Sequence, residues 1–129
     1  MYRQFRQTAS EAKFAEFYQR LSDVCSRVSQ MYGVNRVSLV QRQDSKLHRD
    51  IAEFELQHPV EESSVRAIVV LNHSPLSRMS CKVTTFVNGK SCTQKEFWTK
   101  VREIDKDWAT YHKEQCQYTD PIKIPNWLL

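Results

Sequence analysis

Only two glycines, Gly33 and Gly89, occur in the 129 residues, where an average chain of this length holds about nine. A Gly-rich phosphate cradle, a dinucleotide fingerprint and a collagenous repeat are thereby excluded. No apolar run approaches the roughly 20 residues that span a bilayer. The N-terminus, MYRQFRQTAS, is basic but leads into a charged amphipathic segment without an apolar signal core, so no secretory leader is expected. The cysteines, Cys25, Cys81, Cys92 and Cys116, form no C-x-x-C and no Cys/His pair at zinc-ligand spacing. Free thiols are expected, in a soluble intracellular protein, cytoplasmic or nuclear, with no metal, cofactor or membrane contact.

Apolar residues make up 40% of the chain and aromatics 11%. A chain of this length buries roughly two thirds of its unfolded surface. The reading is one α+β domain over residues 1–117 and a proline-containing apolar tail over 118–129. The 19 basic and 15 acidic residues leave a net charge of +4. Four excess charges permit contact with phosphate or an acidic partner without requiring it.

Between Ser10 and Tyr32, Phe14, Phe17, Tyr18, Leu21, Val24, Cys25, Val28, Met31 and Tyr32 recur at helical spacing, which predicts an amphipathic helix. Thr8 and Glu11 match a capping box, Ser10 is an alternative cap, and Gly33 sits where a left-handed C-cap belongs. The period then changes. Arg36–Arg42, His48–Gln57, Val65–Leu71 and Met79–Val87 are rich in Val, Ile and Phe and are separated by polar turns too short to hold a helix. They predict a four-stranded antiparallel meander. In the second strand Ala52, Phe54 and Leu56 alternate with Glu53, Glu55 and Gln57, so one face is buried and the other wet. The third, Ala67 to Leu71, is apolar on both faces and belongs in the centre. At Asn88-Gly89-Lys90 the second glycine allows a positive φ. A second capping box, Thr93 to Glu96, opens a helix carrying Phe97, Trp98, Val101, Ile104, Trp108 and Tyr111, expected to end near Lys113.

This order, helix, four-strand meander, helix and tail, resembles that of the RWD and ubiquitin-conjugating type of α+β domain, including the small globular heads of kinetochore subunits. The resemblance implies a fold and no activity. The Tyr-Pro-x-x-x-Pro turn expected after the meander is absent, and the residues around Cys92 do not reproduce a conjugating-enzyme active site.

Three classes of function follow from the side chains. The favoured one is a non-catalytic protein-interaction module, an adaptor, subunit or inhibitor. It would use an open sheet face or edge together with Ile124, Trp127, Leu128 and Leu129 of the tail, binding a protein partner or a second copy. The alternative is nucleic-acid binding on a basic sheet face by Arg36, Arg42, Arg49, Arg66, Arg78 and Lys82, with Phe86 as the one strong stacking residue. Third is a small enzyme centred on Cys92 or on His48 and Asp50, which strand alternation would place on one side about 6.5 to 7 Å apart. Glu53 and Glu55 lack a neighbouring histidine and are read as cross-sheet partners of Arg36, Arg42 or Arg66.

Overall fold

In the computed structural model the described residues are 8–32, 35–73, 75 and 78–119, the side chains of Tyr32 and of 116–119 being outside the description. Gly33, Arg3, Arg6 and the tail residues Ile124, Trp127, Leu128 and Leu129 lie outside the described residues. The elements are α1 (Ala9–Tyr32), β1 (Val37–Asp44), β2 (Arg49–Gln57), β3 (Ser64–Asn72), β4 (Ser80–Val87), β5 (Lys90–Cys92) and α2 (Gln94–Thr119). The five strands form one antiparallel sheet in sequence order, β1-β2-β3-β4-β5. The α+β meander expected from the periodicity is present, with β3 at its centre.

Two elements differ from the sequence expectation. β5 is additional: Val87 pairs with Lys90, and both residues between them, Asn88 (φ 52°) and Gly89 (φ 80°), have positive φ. That is a two-residue hairpin of the Asn-Gly kind, whose twist matches that of the flanking strands. Asn88 is further held by its side chain, since Oδ1 accepts hydrogen bonds from the Ser63 hydroxyl and the Ser64 N–H. The second difference is α2, which runs on to Thr119 rather than ending near Lys113.

Both helices begin as their capping residues dictate. The Glu11 N–H donates to Thr8 Oγ1 while the Thr8 N–H donates to Glu11 Oε1, a closed capping box. Thr93 Oγ1 accepts the Glu96 N–H at 3.1 Å. Ser10, the alternative cap, instead donates its hydroxyl to the Met79 carbonyl, tying the start of α1 to the approach to β4.

α1 and α2 lie on the same face of the sheet. Val37 and Leu39, then Ala52, Phe54 and Leu56, then Val65, Ala67, Val69 and Leu71 face them, all buried except the half-buried Leu39. Phe14, Phe17, Leu21, Val24 and Val28 of α1 and Phe97, Val101, Ile104 and Trp108 of α2 complete the core. Aromatic edges set the junction: the Phe97 ring meets Phe54 at 6.3 Å and Trp98 at 5.0 Å, and Trp98 meets Phe17 at 5.1 Å. The helices run parallel, because partners rise together in number, from Phe17 with Trp98 to Arg27 with Asp105.

The middle of α2 is fastened to the end of β2. The Trp108 indole N–H donates to the Gln57 carbonyl at 2.7 Å, and His58, only 8% exposed, meets Asp107 at 2.8 Å. A large ring buried with its polar atom paired keeps the hydrophobic gain without the desolvation penalty.

Candidate functional site

With both helices on one face, strand alternation sends the other half of each strand to the opposite face, which no described element covers. The register lays this open face out in rows. Ser38, Glu55, Arg66, Phe86 and Ser91 form one row; Val40, Glu53, Ile68 and Thr84 the next; Arg42, Ile51, Val70 and Lys82 the third. A last row holds Asp44, Arg49, Asn72 and Ser80. Val40 is 58% exposed, while Ile51, Ile68, Val70 and Phe86 are half-buried by their neighbours within the sheet. None of these five packs against the core. The apolar second face of β3 is thus part of a surface.

Four of the six basic residues singled out above, Arg42, Arg49, Arg66 and Lys82, share this open face. Arg36 borders it just before β1, where its carbonyl accepts the Gln57 N–H and continues the ladder beside Ser38 and Glu55, whereas Arg78 precedes β4 at the opposite end of the sheet. The face also carries Asp44, Glu53 and Glu55. Arg42 donates to Glu53 at 2.9 Å, as its cross-strand position led one to expect, and Glu55 lies directly opposite Arg66. The Arg66 guanidinium is 6.0 Å from the Phe86 ring centroid. The potential is therefore mixed, with apolar patches between charges.

His48 and Asp50, expected on one strand face, do not share it, because His48 is the last residue of the β1–β2 turn. His48 precedes β2 in a left-handed conformation (φ 52°), so alternation does not extend to it. Asp44 shapes this β1–β2 loop: its Oδ1 accepts the N–H groups of Lys46 and Leu47. Asp50 faces the helix side, and its nearest imidazole is that of His73, Nε2 to Oδ1 at 3.5 Å. His73 follows β3 and its N–H donates to the His48 carbonyl; the two rings meet edge to face at 6.3 Å. Asp50 and His73 border a cleft of about 470 Å³ that also takes in Glu11, Arg49 and Met79. Only the pairing of β2 with β3, Arg49 opposite Asn72, brings His73 to Asp50, and the local sequence carries no sign of it.

Cys92 is half-buried in β5 with its thiol 3.7 Å from Thr85 Oγ1, whose own hydroxyl donates to the Cys92 carbonyl. Cys25 and Cys81 are free thiols with pKa values raised by burial, an effect that the nearby Lys13 ammonium opposes at Cys81. Among the described residues no three His, Cys, Asp or Glu side chains are grouped to hold a metal ion, and no helix is long and apolar enough to cross a membrane.

His58 is a second histidine whose setting was not anticipated from the sequence. Its Nδ1 accepts N–H groups from Val60 at 3.1 Å and Glu61 at 2.9 Å, so Nε2 carries the proton and donates to Asp107. Pro59 marks the turn in the sequence; the distant Asp107 leaves no local signal.

No protein-family model, no curated protein and no solved structure matches the chain. The likeness to RWD and ubiquitin-conjugating domains accordingly stays one of element order.

Proposed function

We propose that the chain is a non-catalytic protein-interaction module whose partner docks on the open face of the sheet. One observation carries this reading: Val40, Ile51, Ile68, Val70 and Phe86 make an apolar surface across four strands, and among the described residues nothing packs on it. Apolar groups ringed by charges of both signs suit a protein surface, where the apolar centre supplies affinity and the charged rim supplies register. The edge of β1, which no strand pairs with among the described residues, and the apolar tail, with Trp127 as its aromatic anchor, extend the same reading.

Nucleic-acid binding is the second reading, favoured by Arg66 over Phe86 and by the clustering of Arg42, Arg49, Arg66 and Lys82 on one face. Glu53 and Glu55 in their midst oppose a phosphate track, and a single aromatic makes a poor stacking platform.

Light scattering on the eluting protein, with pull-downs by full-length chain, a form ending before Trp127 and the double variant Ile68→Glu, Val70→Glu, tests the proposal. A partner or second copy retained by the full chain and lost by the double variant, with its circular dichroism unchanged, supports docking on the sheet. A strictly monomeric chain that retains nothing in any form removes the proposal. Oligonucleotide binding that weakens steeply with salt would replace it by the second reading.

A further inference from the structure

On the helix layer, opposite the open sheet face, α1 and α2 leave a cleft of about 210 Å³ between them. Its floor includes Trp98, which is 8% exposed and flanked by Phe17 and Phe97. The Arg20 guanidinium lies 3.8 Å from the Trp98 ring centroid. Arg102 follows Trp98 by one turn of α2 and lines the same cleft. The third guanidinium, Arg27, is neutralised by Asp105, with its Nη2 donating to Oδ2 at 2.7 Å. Arg20 and Arg102 have no hydrogen bond or ion pair among the described residues. Trp98 Nε1 is also buried without a hydrogen-bond partner there.

We propose that this cleft binds an acidic peptide segment of a partner protein, with Arg20 over Trp98 as the carboxylate anchor and Arg102 as the second cation. A guanidinium held over an indole ring has lost its freedom already and keeps its in-plane N–H donors for a carboxylate. Val24 and Val101, both core residues, close the bottom of the cleft beneath these charges. Asp23, which accepts from Gln19 at 2.9 Å, makes the lining mixed in sign, which disfavours a continuous phosphate chain more than a single carboxylate between Arg20 and Arg102. Because the two surfaces lie on opposite sides of the sheet, the proposal does not depend on the sheet-face reading, and the Ile68→Glu, Val70→Glu variant should leave it intact.

The test is fluorescence anisotropy of full-length protein with a labelled peptide of alternating Glu and Leu, a Gln-for-Glu version, and an oligo-dT competitor. Saturable binding of the acidic peptide is expected, weakened by salt and reduced about fivefold or more by Arg20→Gln and by Arg102→Gln. Arg20→Lys, which keeps the charge but not the planar fork, should also weaken it, whereas Arg66→Gln on the sheet should not. Thermal melts confirm that these exposed-site variants fold. No saturation at millimolar peptide, equal binding of the Gln peptide, binding indifferent to both Arg variants, or tighter binding of oligo-dT would each overturn the proposal.

Discussion

Asp107 Oδ2 accepts a hydrogen bond from His58 Nε2 at 2.8 Å, across 49 positions of sequence, and so holds the β2–β3 connection against α2. The imidazole is satisfied on both sides, because its Nδ1 takes the Val60 and Glu61 N–H groups that shape the turn. Removing the ring takes the acceptor from two backbone donors of the turn, while Asp107, 44% exposed, can turn to water. His58→Ala is expected to cost about 1–3 kcal/mol in urea denaturation. Asp107→Asn, which keeps an acceptor oxygen, should cost less than Asp107→Ala, and a nitrogen-detected spectrum should show the proton on Nε2. A loss below about 0.5 kcal/mol for His58→Ala would show that the turn holds without the ring.

Arg27 of α1 and Asp105, two residues before Asp107 on α2, form a more exposed pair. Their contact is as short, 2.7 Å, but the Arg27 side chain is 51% exposed. Solvent screening and side-chain entropy leave such pairs about 0–1 kcal/mol. A double-mutant cycle through Arg27→Ala and Asp105→Ala should therefore yield a small coupling energy that falls with salt. A value matching that of the His58–Asp107 cycle would contradict the burial argument.

The β4–β5 hairpin depends on backbone conformation more than on contacts. A Cβ at Gly89 would meet nothing within 4 Å, yet its φ of +80° is one that L side chains rarely adopt. Gly89→Ala should then cost about 1–2 kcal/mol, and Gly89→Asn less. Asn88→Ala loses both the left-handed preference and the acceptor for Ser63 and Ser64, so its loss should be at least as large. Equal stability of Gly89→Ala and wild type in equilibrium unfolding would argue against the positive-φ turn.

Burial raises the pKa of the Cys25 and Cys81 thiols above 9.0, the ordinary value. The unfolded chain then releases those protons at lower pH than the native one. Their contribution to stability is complete below that ordinary value and is lost as pH rises from it through the raised native values. Stability should fall with alkaline pH, less so in Cys25→Ala, Cys81→Ala. Both thiols should also alkylate more slowly in the native protein than in urea, as mass spectrometry of labelled peptides can follow.

The parts of this structure that repeat locally were legible in the sequence, and the parts that depend on distant pairing were not. Helical spacing from Phe14 to Met31 and from Phe97 to Tyr111 placed both helices, and alternation at Ala52 to Gln57 assigned the buried face of β2 correctly. β5 was missed although Asn88-Gly89 is a strong hairpin signal, because a three-residue strand reading Lys-Ser-Cys has no hydrophobic pattern to detect. The proposed pairing of His48 with Asp50 assumed that the strand began one residue early. A left-handed residue at 48 ends the alternation, and the register of β2 on β3 supplies His73 in its place. The Arg20–Trp98 stack and the His58–Asp107 bond likewise join residues 78 and 49 positions apart, and such contacts have no period to read.

The two rims of the sheet are unequal. β1 offers a continuous eight-residue rim, whereas β5 screens only Thr85 to Val87 of β4, leaving the opposite rim stepped. Head-to-tail addition of one copy to the next would have to join a straight ladder to a broken one, a mismatch repeated at every junction. Pairing of β1 with the β1 of a second copy joins like to like about a two-fold axis and consumes both straight rims at once. Strand addition through the straight rims alone therefore ends at two copies, with only the stepped β4–β5 rims facing outward.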